Sequence, residues 1–79
     1  MSYNKDEWIV KMNLAAIFYG GYDPRSLPLE IQKQVEKLYW CVKKISEHKK
    51  EPMLNVIYEI AYKASIKLLN ESDVLSLKI

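Results

Sequence analysis

Cysteine and histidine are nearly missing from this chain: each occurs once, as Cys41 and His48, among 79 residues. A single cysteine rules out an intramolecular disulfide. One cysteine with one histidine also leaves a structural zinc site without its ligand set, so no metal is expected. Glycine (two) and proline (three) are scarce, and all five stand where helical patterns break. A low-complexity or Gly/Pro-rich disordered chain is thereby excluded. No apolar run approaches the roughly 18 residues that a membrane-spanning helix needs, so no membrane role is expected. Residues Met1 to Glu7 carry Asp6 and Glu7 where a secretory signal has basic residues, and no apolar segment of the signal type follows. The expected location is the cytoplasm, and a free cysteine agrees with a reducing compartment.

What is present is apolar and aromatic. The hydrophobic fraction is 49% and the charged fraction 28%, which is enough apolar matter for one packed domain over 1–79 and too much for disorder. Six Tyr, two Trp and one Phe are many for this length. A chain this short buries a modest share of its surface, so helix packing or self-association must carry its stability. The net charge is +2, but residues 29–50 hold six Lys and three Glu, while residues 51–79 hold three Lys and four acids.

The spacing predicts helices over about 4–19, 27–48 and 52–69, with a possible short one over 72–78. Asn4 can cap the first, with Glu7 three residues on in the capping-box position. Trp8, Ile9, Met12, Ala15, Ala16 and Tyr19 then recur at helical spacing. Gly20-Gly21 ends this run, because glycine readily takes the left-handed conformation of a helix C-terminus, and Asp23-Pro24 marks the break. Pro28 suits the first turn of the second helix. Its apolar residues Ile31, Val35, Leu38, Val42 and Ile45 step by four, three, four and three, the spacing of a helix lying along another helix. After Pro52 the third pattern runs Met53, Leu54, Val56, Ile57, Ile60, Ala61, Ala64, Leu68 and Leu69. That stripe is wide, so this helix is expected to be the most buried. Asn70 reads as a stop and Ser72-Asp73 as a cap. The tail through Leu75, Leu77 and Ile79 could alternatively be extended, but a short helix is preferred. Two long helices on a short connection pack antiparallel, and the first helix covers their groove. The expected fold is all-α, a small three- to four-helix bundle.

No enzyme chemistry is spelled out. Cys41 and His48, the natural nucleophile–base pair, are seven residues apart on one helix, about 10 Å along its axis, and cannot touch. Asp6 and Glu7 read as helix-start acids. Gly20-Gly21 lacks the longer glycine pattern and the Lys-Ser/Thr ending of a phosphate loop. No cofactor is expected.

The second helix offers a surface instead. Lys33, Lys37, Lys44 and His48 share one side of it, opposite the Ile31–Ile45 seam, with Trp40 among them. Such a face could contact phosphates and stack on bases. Glu30, Glu36 and Glu47 interleave with it, and the small net charge fits a solvated lysine face better. Trp40 lies outside the seam and either packs under the first helix or stands out as an interface anchor. Tyr58 and Tyr62, one turn apart on the third helix, could extend an aromatic patch. Trp8, Phe18 and Tyr39 are expected in the core, and the first segment adds Tyr19 and Tyr22.

In layout the chain is similar to the small helical immunity proteins that protect bacteria from their own bacteriocins. Asp23-Pro24, the long helix over 28–48 and Pro52 carry the likeness. It is a likeness of architecture, without a shared motif, and implies action by binding rather than catalysis.

The leading expectation is a small non-enzymatic inhibitor, immunity factor or regulator of a larger macromolecule, in keeping with a bacterial or phage accessory protein. Trp40, Tyr58 and Tyr62 would anchor it, and Lys33, Lys37 and Lys44 would form a rim suited to an acidic protein surface. The alternatives are a nucleic-acid-associated regulator using the same basic face, and a structural homo-oligomer that buries its surplus aromatic surface.

Overall fold

Asn4 starts the first helix as its spacing implies. Its side-chain oxygen accepts the backbone N–H of Glu7 at 3.0 Å, satisfying an amide that the helix itself leaves unpaired. The Glu7 carboxylate is taken by Lys11 at 2.8 Å. The structure is a computed structural model and describes residues 4–21 and 23–78; Tyr22 and Ile79 lie outside the described residues. Helix α1 spans Lys5–Tyr19 and ends on Gly20, whose φ of 71° is left-handed. A short 3₁₀ turn, Pro24–Ser26, follows, capped by the Asp23 side chain. Helix α2 spans Leu29–Lys49, α3 spans Met53–Ser65 and α4 spans Glu71–Leu75. Pro28 and Pro52 stand at the N-caps of α2 and α3, one step ahead of the first turn in which proline was expected.

The architecture is all-α. Helix α1 packs on both α2 and α3, α2 packs on α3, and α4 lies on α2. The core joins Val10, Leu14 and Ala15 of α1 to Val35, Leu38, Tyr39, Val42 and Ile45 of α2. Val56, Ile57 and Ile60 of α3 close it, with Leu69 of the α3–α4 connection and Val74 of α4. No polar or charged residue is buried among the described residues. The seam read from α2 is the one it buries, with Ile31 half-buried at its start.

Several expectations require correction. Helix α1 does not bury the face of Trp8, Ile9, Met12 and Ala16, all of which are half-buried; Val10 and Leu14 are fully enclosed instead. The helix is apolar on nearly every side, so periodicity alone does not select its inner face. Trp8 is not core but sits at the rim, with the Arg25 guanidinium 4.9 Å from its ring centroid. Phe18 is half-buried and packs on the core from outside, while Tyr39 is buried as expected. Helix α2, not α3, supplies the larger part of the core.

Helix α3 also stops four residues early. Lys67 is left-handed (φ 61°). The N–H groups of Lys67 and Leu68 bond back to the carbonyls of Ala64 and Lys63, a Schellman turn. Leu68 therefore leaves the apolar stripe and is 72% exposed, while Leu69 drops into the core. Asn70 is not merely a stop: its side chain accepts the Asp73 N–H, and the Asp73 carboxylate accepts the Asn70 N–H. This capping box places Asn70, rather than Ser72 or Asp73, at the start of α4. The short-helix alternative for the tail is the one observed.

Replacing Leu38, which is fully buried, by Ala will lower the free energy of unfolding by about 2–5 kcal/mol. Leu68→Ala, at an exposed site, will change it by less than about 0.5 kcal/mol. Urea titration followed by circular dichroism measures both.

Candidate functional site

The outer face of α2 is set by the burial of its inner face. With Val35, Leu38 and Val42 turned inward, Lys33, Lys37, Trp40, Lys44 and His48 point to solvent. Trp40 is 49% exposed. Its indole is nonetheless held. Nε1–H donates to Glu36 Oε1 at 3.3 Å, one turn back on the same helix. The Lys43 ammonium lies 4.8 Å from the ring centroid, a cation–π distance. Tyr39 meets the ring edge-on at 5.6 Å and 70°.

Glu36 links this ring to α1. Its other carboxylate oxygen accepts from Lys11 Nζ at 2.6 Å, and Lys11 also pairs with Glu7 at 2.8 Å. Burial alone would push the Lys11 ammonium down, but its bonds to Glu36 and Glu7 outweigh that and raise it above its ordinary value. Lys11 further covers the Tyr39 ring at 5.1 Å. Sequence reading counted Glu36 as a charge that dilutes the basic face. The structure shows it already matched by Lys11 and orienting Trp40. Its spacing of four from Trp40 was visible in the sequence, whereas its pairing with Lys11 across two helices was not.

Among the described residues, no ion pair engages Lys33, Lys37 or Lys44. The stretch 33–44 holds four Lys and one Glu. This stretch of α2 therefore carries net positive charge around a half-exposed indole, with Glu30 and Glu47 beyond its two ends.

Tyr58 and Tyr62 stand elsewhere. They are 58% and 65% exposed on the outer side of α3, opposite its buried Val56, Ile57 and Ile60. Helices α2 and α3 bury their inner sides in one core, so their outer sides diverge. Among the described residues, the aromatic ring that touches Trp40 is Tyr39, not Tyr58 or Tyr62. The structure thus divides the six candidate residues between two faces.

Between the faces, Glu59 of α3 bonds Lys49 of α2 at 3.1 Å and Lys63 at 2.9 Å. Hydrogen bonds from Lys63 and then Lys49 hold its carboxyl below the ordinary carboxylate value. The Tyr19 hydroxyl donates to Glu71, tying the end of α1 to the start of α4. Burial, and then this bond to a carboxylate, push the phenol well above its usual value. Cys41 is half-buried, its sulfur 4.0 Å from the Leu75 carbonyl oxygen, and His48 is exposed. Among the described residues no three His, Cys, Asp or Glu side chains gather into a metal-binding group. Among the described residues no helix is long and apolar enough to cross a membrane.

The chain matches no protein-family model, no curated protein and no solved structure.

Because Glu59 is more acidic folded than unfolded, its contribution to stability is present above the ordinary value of 4.5 and is lost as pH falls through the lower folded value. Glu59→Gln will therefore be less stable than the parent at pH 7, and the gap will close under strongly acid conditions. Thermal melts across the acid range measure it; a gap that stays constant with pH would show that Glu59 contributes by packing alone.

Proposed function

We propose that this is a small non-enzymatic binding protein that inhibits or regulates a larger protein by covering part of its surface, with the outer face of α2 as the contact. The observation that carries the reading is Trp40: a half-exposed indole fixed by Glu36, Lys43 and Tyr39, on the same side of α2 as Lys33, Lys37 and Lys44. A large aromatic left in water is a cost to a free protein, and Trp, Tyr and Arg dominate the binding energy of protein interfaces. An indole already held in place loses little freedom on docking, so more of its contact energy appears as affinity.

Lys33, Lys37 and Lys44 form the rim. Their charge favours an acidic partner surface and speeds encounter more than it deepens affinity. The lysine row also has the chemistry to meet phosphates, which makes nucleic acid the competing occupant. The mechanism is steric and needs no cofactor or metal. A protein of this kind works in the cytoplasm, where the thiol of Cys41 stays reduced.

Tagged protein used as bait in a nuclease-treated lysate tests the reading. The expected result is a discrete protein that survives moderate salt and is retained by the parent. Trp40→Ala will weaken its capture by more than about 2 kcal/mol with the helical circular dichroism unchanged. Reversing Lys33, Lys37 and Lys44 to Glu will chiefly slow association. Recovery of nucleic acid that disappears at high salt would transfer the face to nucleic-acid binding. Equal capture by parent and Trp40→Ala would remove Trp40 from the contact.

A further inference from the structure

The contacts that hold Trp40 begin on its own helix. Glu36 stands four residues before it and Lys43 three residues after. Side-chain contacts at such spacings along one helix are individually weak. Glu36 also has a competing use on α2, because Lys33 stands three residues before it and within its reach. A Glu36 carboxylate turned to Lys33 would leave Trp40 Nε1 without its acceptor and would answer one of the rim lysines.

Lys11 of α1 closes that alternative. Its Nζ lies 2.6 Å from Glu36 Oε2, while Glu36 Oε1 accepts the Trp40 Nε1–H at 3.3 Å. A carboxylate is planar with two acceptor oxygens, so holding one oxygen from α1 aims the other along α2 at the indole. Lys11 is the steadier end of the pair: its side chain is 18% exposed, against 50% for Glu36. Glu7 takes the same ammonium at 2.8 Å, and the centroid of the Tyr39 ring lies 5.1 Å from it. The stretch of α1 that carries Lys11 is anchored by Val10 and Leu14, both fully enclosed.

We infer that Lys11 is a positioning residue for the α2 contact face: through Glu36 it aims the Trp40 indole, and it draws the Glu36 carboxylate away from Lys33. Its role in binding rests on α2 being the contact; its hold on the indole does not. The face is then assembled by two helices. An indole aimed in advance loses less freedom when it docks, so Lys11 contributes to affinity from beside the contact rather than within it.

NMR of the indole N–H groups in the isotope-labelled full chain tests this without a partner. The chain has two tryptophans; Trp40→Phe identifies the Trp40 signal, and Trp8 is the reference. Lys11→Met will lower the heteronuclear NOE of the Trp40 indole and speed exchange of its N–H with water severalfold. The Trp8 values and the circular dichroism will hold. Lys11→Arg will restore the Trp40 values, because a guanidinium still pairs with the carboxylate. Glu36→Ala will loosen the indole as Lys11→Met does, and combining the two changes will add little. If Lys11→Met fails to fold, Lys11→Gln, which keeps polarity and loses the charge, takes its place.

Unchanged Trp40 values without the Lys11 charge overturn the inference and leave α2 free to be the contact. An equal effect of Lys11→Met with and without Glu36 also overturns it. Once a partner is captured, Lys11→Met will weaken its binding severalfold and Lys11→Arg will restore it. Equal capture by the parent and Trp40→Ala overturns the contact and with it the part of Lys11 in binding, whatever the indole signals show.

Discussion

Everything in this molecule rests on a core of branched aliphatic side chains packed between three helices. No disulfide within the chain is possible, and no charged or polar residue is buried among the described residues. Cohesion comes from Val10, Leu14, Val35, Leu38, Val42, Val56, Ile57 and Ile60 filling one space. Such a core is dense, and it has little room for large rings. Tyr39 finds a place in it; Trp8 and Phe18 are pushed to the rim and Trp40, Tyr58 and Tyr62 to the outside. The exposed aromatic surface is thus a by-product of how the interior is filled.

Electrostatics add selection to that surface. Glu36, Glu7 and Glu59 are consumed in pairs with Lys11, Lys49 and Lys63, two of which bridge helices. Each pair is partly exposed, so its direct contribution to stability is small. Its larger effect is on what remains. Glu36, the acid within the row of Lys33, Lys37 and Lys44, is occupied by Lys11, and residues 33–44 of α2 are left with net positive charge, while the outer side of α3 presents Tyr58 and Tyr62. The same bundle therefore offers two surfaces of different chemistry.

The parts of the fold legible in the sequence were those where a local rule acts alone. The four-three seam of α2 has one apolar side and therefore one possible inner face. Gly20 and Asn4 perform the capping tasks their chemistry suits best. The rest depended on tertiary context. Helix α1 has apolar residues on most sides, and only the shape of the α2–α3 groove selects Val10 and Leu14. Lys67 adopts a left-handed conformation for which lysine has no special preference, so the early end of α3 and the exposure of Leu68 left no trace in the pattern. The six candidate residues were readable as residue types suited to anchors and rim charges, with burial or exposure of Trp40 left open. Their separation onto two faces was not, because it depends on how α2 and α3 rotate toward a common core.

The fourth helix carries a consequence for how the chain assembles. Five residues are too few to nucleate a helix alone, so α4 exists only while docked, through Val74, the Asn70 capping box and the contact of Tyr19 with Glu71. That contact joins residues 52 apart in sequence, and closing so long a loop is favourable only after the three longer helices have come together. Helix α4 therefore depends on the three longer helices for its existence, while they do not depend on it for theirs. The Cys41 sulfur, 4.0 Å from the Leu75 carbonyl oxygen when α4 is docked, loses that neighbour when the helix leaves.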